Sequence, residues 1–506
     1  MRADSQANER LPGAIAGVGA VLAGLAAGHL IAGLVAPEAS PALAVGSRLV
    51  DLAPTPLKDW AVATLGTNDK PVLVAGVVVV ALALGAGTGP LAFRHRRLAW
   101  MVPALLGLVA GAAAVTAPTA TAAAVLPALV AGVAGAVTLS WLLPRRHPDD
   151  PTGTPRALPR RAFLTGTAVV GGSSAVALVT GQWFADRSRV ATDVTLPVAT
   201  PARTPLPAGL DVPGLSLWVT PNADFYRVDI NLLVPAVDIT NWRLSVDGLV
   251  DRPLSLSWAE LIALPVVERD ITLNCVSNEV GGPYIGGARW LGVRTRDLLE
   301  HAGVRAEADQ VLSRSVDGFT ISTPVQALLD DRDALVAIGM NGRPLPAEHG
   351  FPARLITPGL YGYVGATKWL TQLTLTTYAQ QSAYWTVRGW AERGPVKPSS
   401  RIEVPRGFAK LPAGDVIVAG TAWAQHIGVA RVQLRVDGGP WQDATLGADA
   451  GIEYWRQWRF GWKATPGEHV LESRVIDDRG VPQSEQPAAP FPDGASGLHR
   501  ITVTIG

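Results

Sequence analysis

The 506-residue chain is 48% apolar and only 17% charged, with a formal net charge of +1 and one cysteine. Its length makes room for two to four domains, its near-zero net charge gives no basis for a nucleic-acid partner, and a single cysteine excludes an intrachain disulfide. The apolar residues are unevenly spread: up to Phe184 the chain is mostly Ala, Val, Gly and Leu, and beyond it charges recur regularly, as in a globular protein.

The first predicted elements are membrane spans. About 20 apolar residues cross a bilayer as a helix, and charge-free stretches of that order run over 11–37, 71–93, 98–144 and 162–185. The third holds two helices separated by the turn TAPTATA (116–122), so five spans are expected. Trp60, Trp100, Trp141 and Trp183 fall at or near their ends, where interfacial aromatics belong. Arg2, Arg10, the RHRR of 94–97, the PRRH of 144–147, Arg156, Arg160 and Arg161 fall on one side of a five-span chain, which the positive-inside rule makes cytoplasmic. Everything beyond Phe184 is then outside. The segment PRRAFLTGTAVVGG (159–172) reads in two ways, as a twin-arginine export signal or as a pair of topology anchors. His29 is the only histidine within a span, so a haem between two facing histidines is not expected there, and the helices read as an anchor or docking surface.

Residues 186–214, rich in Pro, Thr, Ala and Val, read as an extended linker. Beyond it, WRLSVDGLVDRPLSLSW (242–258) alternates like strands around an Asp-Gly turn, WAELIALP and TRDLLEHAG have helical spacing, and DALVAIGMNGRPL is a strand running into an Asn-Gly turn. Short strands and helices interleaved without a βαβ period make 215–394 an α+β domain. No GxGxxG or P-loop opens a helix, so a dinucleotide or nucleoside triphosphate site is not expected. From 395, DVIVAGTAW, ARVQLRVDGGPW, YWRQWRFGWK, HVLESRVIDDRG and HRITVTI are strands with turn signals about every ten residues, the pattern of a β-sandwich.

The one cysteine, Cys275, stands where the alternating run ERDITLNC breaks into a loop of Asn, Ser and Gly. Three readings are open for it. It is a small buried apolar side chain, a nucleophile served by a histidine that spacing alone does not single out among His301, His349, His426, His469 and His499, or a soft thiolate ligand to a metal whose other ligands come from a cofactor.

The motifs TLNCVSN (272–278), ARWLGVRTRDLL (288–299) and MNGRPLPAEHGFPARLITPGLYGYVGATKWL (340–370), with a β-rich tail ending GLHRITV, resemble the sulfite oxidase family of molybdenum enzymes over residues 215–506. The resemblance implies a molybdenum–molybdopterin cofactor with Cys275 as the thiolate ligand and Asn274, Ser277 and Asn278 beside the cofactor. It places Arg227 of DFYRVD in an anion pocket, with Arg289 a weaker candidate, and His349, Arg354 and Lys368 around the pterin phosphate. Guanidinium forks suit a doubly charged oxyanion. Trp390 stands where the family has an active-site tyrosine, which leaves that role to Tyr361 or Tyr363.

The expected molecule is multi-domain: an N-terminal α-helical transmembrane bundle (1–185), a linker (186–214), an α+β sulfite-oxidase-like molybdopterin domain (215–394) and a C-terminal immunoglobulin-like β-sandwich (395–506) of the dimerisation type. It is expected to be multi-pass in the cell membrane with its catalytic domain extracytoplasmic. The favoured activity is oxidation of sulfite to sulfate by oxygen-atom transfer, with electrons leaving to an external carrier such as a cytochrome. The alternatives are reduction of an S-oxide such as methionine sulfoxide with the same cofactor, and a non-catalytic membrane-bound binding module.

Overall fold

A computed structural model describes residues 2–65, 68–95, 98–117, 120–143, 159–187 and 194–506. The chain divides into two units, one of Met1–Val190 with Ile230–Ala236, the other of Ala191–Asp229 with Val237–Gly506.

The first unit is helical: α1 (Arg2–Val35), α2 (Pro41–Leu52), α3 (Thr55–Leu65), α4 (Asp69–Arg94), α5 (Leu98–Val115), α6 (Leu126–Leu142) and α7 (Arg160–Arg187). Among the described residues, four helices are long and apolar enough to cross a membrane: Arg10–Val35, Asp69–Ala92, Ala122–Leu142 and Arg160–Asp186. The third of the five expected spans is shorter, an apolar stretch over Trp100–Val115 with Pro103 inside its helix. Part of the basic pattern behind the expected topology, residues 96–97, 144–147 and Arg156, lies outside the described residues. The loop 37–70, in which sequence gave no elements, folds into α2 and α3; α2 is amphipathic and buries Pro41, Ala44 and Gly46. Helix α1 packs against α4, α6 and α7. Glycine makes its contact with α4 close, because a Cβ on Gly17 would strike the carbonyl oxygen of Gly85. His29, the lone histidine of the spans, lies 3.1 Å from Ser40 Oγ through Nδ1.

The second unit begins with residues 194–214, which carry no regular secondary structure. They lie against the body of the unit: Thr200 N–H donates to the Val266 carbonyl, and Leu210 N–H donates to Gln457 Oε1. Ten strands follow: β1 (Arg243–Gly248), β2 (Leu254–Ser257), β3 (Val266–Asn274), β4 (Ile285–Arg294), β5 (Gln310–Ser315), β6 (Thr320–Pro324), β7 (Leu335–Met340), β8 (Arg343–Pro344), β9 (Arg354–Ile356) and β10 (Leu370–Thr376). They build two sheets, β2-β1-β10-β5-β6 and β3-β4-β7-β8, with β9 pairing β7. Within these two sheets only β1 and β10 run parallel. A capping box opens the helix Trp258–Ile262, where the Ser257 and Glu260 side chains exchange hydrogen bonds with each other's main-chain N–H. Strand β3 buries seven of its nine residues, and Ile271 and Leu273 join Phe225, Trp290, Leu335, Met340, Phe351 and Ile356 in one core. Burying each such side chain stabilises the fold by roughly 1.5–3 kcal/mol. The rigid strand ends at Asn274, one residue before Cys275.

The C-terminal module adds β11 (Ser399–Val404), β12 (Lys410–Leu411), β13 (Gly414–Trp423), β14 (Val429–Val436), β15 (Gln442–Asp443), β16 (Thr445–Leu446), β17 (Arg456–Ala464), β18 (Gly467–Asp477) and β19 (His499–Ile505). Its sheets run β11-β13-β17-β16 and β12-β19-β18-β14-β15. Val418, Val432, Trp458, Leu471 and Val503 fill the space between them with no solvent exposure, as the alternating sequence required.

Candidate functional site

Cys275 leaves β3 into a loop that closes on itself. Its N–H donates to the Tyr284 carbonyl (3.0 Å), the N–H of Asn278 donates to the Cys275 carbonyl (3.1 Å), and the N–H of Tyr284 donates to Asn278 Oδ1 (2.8 Å). Asn278 is therefore the staple of the loop. Cys275 is 8% exposed, and its Sγ lies 3.0 Å from Ser277 Oγ. Burial pushes the thiol pKa up, while hydrogen bonds from the Ser277 hydroxyl and the N–H groups of Ser277 and Val276 pull it down. Those donors stabilise a negative sulfur, and a bound metal cation would displace the proton outright.

A cationic cluster forms from segments far apart in sequence. His349 is 2% exposed, and its Nε2–H donates to the Asn222 carbonyl at 2.8 Å. Burial first, and the nearby Arg354 charge second, lower its pKa to about 4, so the ring is neutral near pH 7. Arg354 is buried, donates from Nη1 to the His349 carbonyl (3.2 Å) and stacks 5.5 Å from the Trp290 ring centroid; burial lowers its pKa to about 10. Lys368 donates from Nζ to Asp229 Oδ2 (2.6 Å) and the Glu348 carbonyl (3.2 Å), and burial lowers its pKa to about 8 against the pull of Asp229. Gly350 lets these segments meet: its φ of +111° is open to glycine, and a Cβ there would lie 2.9 Å from Lys368 Cα. Arg227 reaches Asp229 from the other side, Nε to Oδ2 at 2.8 Å, and keeps 37% of its side chain exposed.

Tyr226 connects the two groups. Its ring lies 6.4 Å from Tyr284 of the cysteine loop and 5.2 Å from Phe225, whose ring is 5.7 Å from His349. Burial raises its pKa, and Cys275 and Arg354 both act on its charge. Tyr361 is also within electrostatic reach of Cys275; burial raises its pKa to about 12, and its hydroxyl accepts the N–H of Lys397. Tyr363 is turned elsewhere, its hydroxyl donating to the Ala391 carbonyl at 2.8 Å. Arg289 does not join the cluster, because its guanidinium is spent on buried Asp270 at 2.8 and 3.0 Å. Trp390 sits among aromatic rings, 5.8 Å from Tyr363 and 5.3 Å from Phe491, in the same apolar cluster as Val276 and Tyr361. Asn222, Tyr226 and Asp229 were not singled out from sequence; their adjacency to Arg227 in PNADFYRVD was the only signal available.

Residues 231–385 match the family model described as an oxidoreductase molybdopterin binding domain. An uncharacterised oxidoreductase, YuiH, of Bacillus subtilis is 37% identical over 31% of this chain and 76% of its own length. The chain belongs to the sulfite oxidase family of molybdopterin oxidoreductases. Sulfite oxidase of Gallus gallus is 32% identical over 51% of this chain and 66% of its own, and the mitochondrial sulfite oxidase of Rattus norvegicus is 32% identical over 45% and 49%. This chain thus spans about half to two thirds of the length of those relatives. The sulfane dehydrogenase SoxCD of Paracoccus pantotrophus superimposes with a TM-score of 0.50 over 56% of this chain and 81% of its own at 22% identity, a likeness of fold.

The family is one of molybdenum enzymes with a molybdopterin cofactor, which sets aside the non-catalytic binding module. The residues present fit that group. Cys275 offers a buried sulfur with donors aimed at it. Asn274 Oδ1 and Arg354 Nε are among the buried polar atoms that have no hydrogen-bond partner among the described residues. Buried polar atoms are nearly always hydrogen-bonded, so a polar group supplied from outside the chain suits both.

Proposed function

We propose that this enzyme oxidises sulfite to sulfate outside the cytoplasm, anchored to the membrane by its helical unit and passing electrons singly to an external carrier such as a cytochrome. The observation that carries this reading is the buried Cys275 thiol in the same unit as the Arg227, Arg354 and Lys368 cluster, with Tyr226 within electrostatic reach of both Cys275 and Arg354. Bound molybdenum–molybdopterin would supply a two-electron centre and the oxygen atom for transfer. Cys275 would hold the metal as a thiolate, its charge stabilised by the Ser277 hydroxyl and adjacent N–H groups. His349, Arg354 and Lys368 would hold the pterin phosphate, and Asn274 and Asn278 would flank the cofactor. Arg227, the most exposed of the cations, orients the anion and offsets its charge. Tyr226 and Tyr361, each within electrostatic reach of Cys275, are assigned the proton exchange near the sulfur in preference to Tyr363, whose hydroxyl is engaged by the Ala391 carbonyl. The β-module serves as an immunoglobulin-like dimerisation domain.

One observation favours the reverse reaction, reduction of an S-oxide such as a methionine sulfoxide. Asp229 already pairs both Arg227 and Lys368, and a neutral substrate has less need of free positive charge. Arg227→Gln separates the two. A charge-assisted hydrogen bond contributes roughly 1.5–3 kcal/mol, so with sulfite the variant keeps its molybdenum, loses about 10- to 100-fold in kcat/KM, mostly through KM, and loses sulfate inhibition in parallel. Unchanged sulfite kinetics and sulfate inhibition, with metal intact, would remove Arg227 from the pocket and favour the reductase.

A further inference from the structure

The C-terminal module grips the chain on both sides of Cys275. Upstream, β3 is the edge strand of its sheet, so main-chain groups facing away from β4 need partners from elsewhere. At Thr272, three residues before the cysteine, the module supplies them. Thr272 N–H donates to the Glu453 carbonyl (2.9 Å), the Gln425 amide donates to the Thr272 carbonyl (2.5 Å), and Trp455 N–H donates to Thr272 Oγ1 (2.8 Å). His426 fixes the Glu453 carboxylate through its N–H (3.1 Å) and Nδ1 (2.8 Å).

Downstream, the outer tip of the cysteine loop meets β11 and β19. Arg401, with 9% of its side chain exposed, donates from Nη1 to the Gly282 carbonyl at 2.7 Å. Its Nε and Nη2 are held by Glu403 Oε1 at 3.0 and 2.7 Å. Glu403 in turn accepts from Thr421 Oγ1 (2.8 Å) and Ser216 N–H (2.6 Å). The His499 ring lies on Gly281, whose φ is +80° and where any Cβ would overlap the imidazole; His499 Nδ1 accepts the N–H of Ile402 at 2.9 Å.

We propose that Arg401 is a positioning residue of the metal centre: with His499 and the contacts at Thr272, it makes the C-terminal module part of the scaffold that aims the Cys275 sulfur. The loop's own hydrogen bonds close its neck at Asn278 and Tyr284, whereas Arg401 fixes its tip with a guanidinium that is itself locked. A rigid module thereby sets where a short loop points its sulfur, and small displacements at a reacting centre are costly in rate. The inference rests on Cys275 being the metal ligand.

The test is Arg401→Gln in the full chain, with Val432→Ala as the control that opens a cavity in the same module without touching the loop. Arg401→Gln keeps its molybdenum and its KM while kcat falls about tenfold. The electron paramagnetic resonance signal of the one-electron-reduced metal changes, and in cofactor-free full-length protein the only thiol is alkylated faster. Val432→Ala lowers Tm and moves neither the signal nor the alkylation rate. Arg401→Lys, which keeps the charge and a donor, restores most of the parent signal. If Arg401→Gln lowers Tm but leaves the signal and thiol reactivity as in Val432→Ala, Arg401 is a structural ion pair only and the proposal falls. Should Arg401→Gln fail to accumulate, His499→Ala takes its place, with the same change expected and an unchanged signal overturning the proposal. Failure of the underlying reading looks different: Cys275→Ser would then retain an active metal centre.

Discussion

His349 ties the site to pH. Its pKa is about 4 in the folded chain against about 6.5 for an unperturbed histidine, so between those values the unfolded chain binds more protons than the folded one. Stability therefore rises with pH through that window and is lost on acidification, by about 3 kcal/mol for a shift of this size. His499, also lowered to about 4 by burial, acts in the same direction. Thermal unfolding of the full chain in detergent from pH 7 to pH 4 should show a falling Tm, and His349→Gln should flatten the slope; an unchanged slope would mean that His349 is already protonated when folded. Much of the cluster was legible in sequence: His349, Arg354 and Lys368 lie in one motif, and Cys275 is unique in the chain. Asp229, Tyr226 and Asn222 were not, because their significance comes from partners distant in sequence: Lys368 for Asp229 and His349 for Asn222, each more than 100 residues away, and Tyr284 for Tyr226. Arg289, the weaker candidate, pairs instead with Asp270, and nothing local in the sequence announces that Asp270 opposes it across β3 and β4.

Among the elements, periodicity found the long apolar helices and most strands, and failed where an element is short or its partners are distant. Helices α2 and α3 fall in a stretch whose mixed charge hid the apolar face that α2 buries. The 186–214 segment read as a linker from its prolines, yet its described part is held by main-chain bonds to residues such as Val266. Helix packing in the first unit gives a direct test. Gly85 and Gly87 both lie on α4; a Cβ on Gly85 would meet Gly17 O at 2.7 Å, whereas one on Gly87 meets nothing within 4 Å. Gly85→Leu should destabilise the helical unit by about 1–3 kcal/mol or more, the usual penalty of overpacking, and Gly87→Leu should not. Equal thermal stability of the two variants in detergent would show that α1 and α4 are not in close contact.

At the scale of the molecule, composition separates an apolar helical stretch from a charged β-rich one after Phe184, whereas the two units divide near residue 190 and residues 230–236 go with the first. Topology follows from the proposed membrane orientation: a reporter fused after Gly506 should be active only outside the cytoplasm, and activity only inside would mean an even number of crossings. Replacing Arg160 and Arg161 with Lys should block export of the second unit if they form a twin-arginine signal and leave it untouched if they anchor α7. The central claim, sulfite oxidation at a Cys275-ligated molybdenum centre, is tested most directly by assaying the purified, molybdenum-loaded chain with sulfite and an artificial one-electron acceptor, beside Cys275→Ser. Stoichiometric sulfate formation by the parent, absent in a folded Cys275→Ser variant, is the predicted result. A parent that reduces methionine sulfoxide but leaves sulfite untouched, or a serine variant that still turns sulfite over, would contradict it.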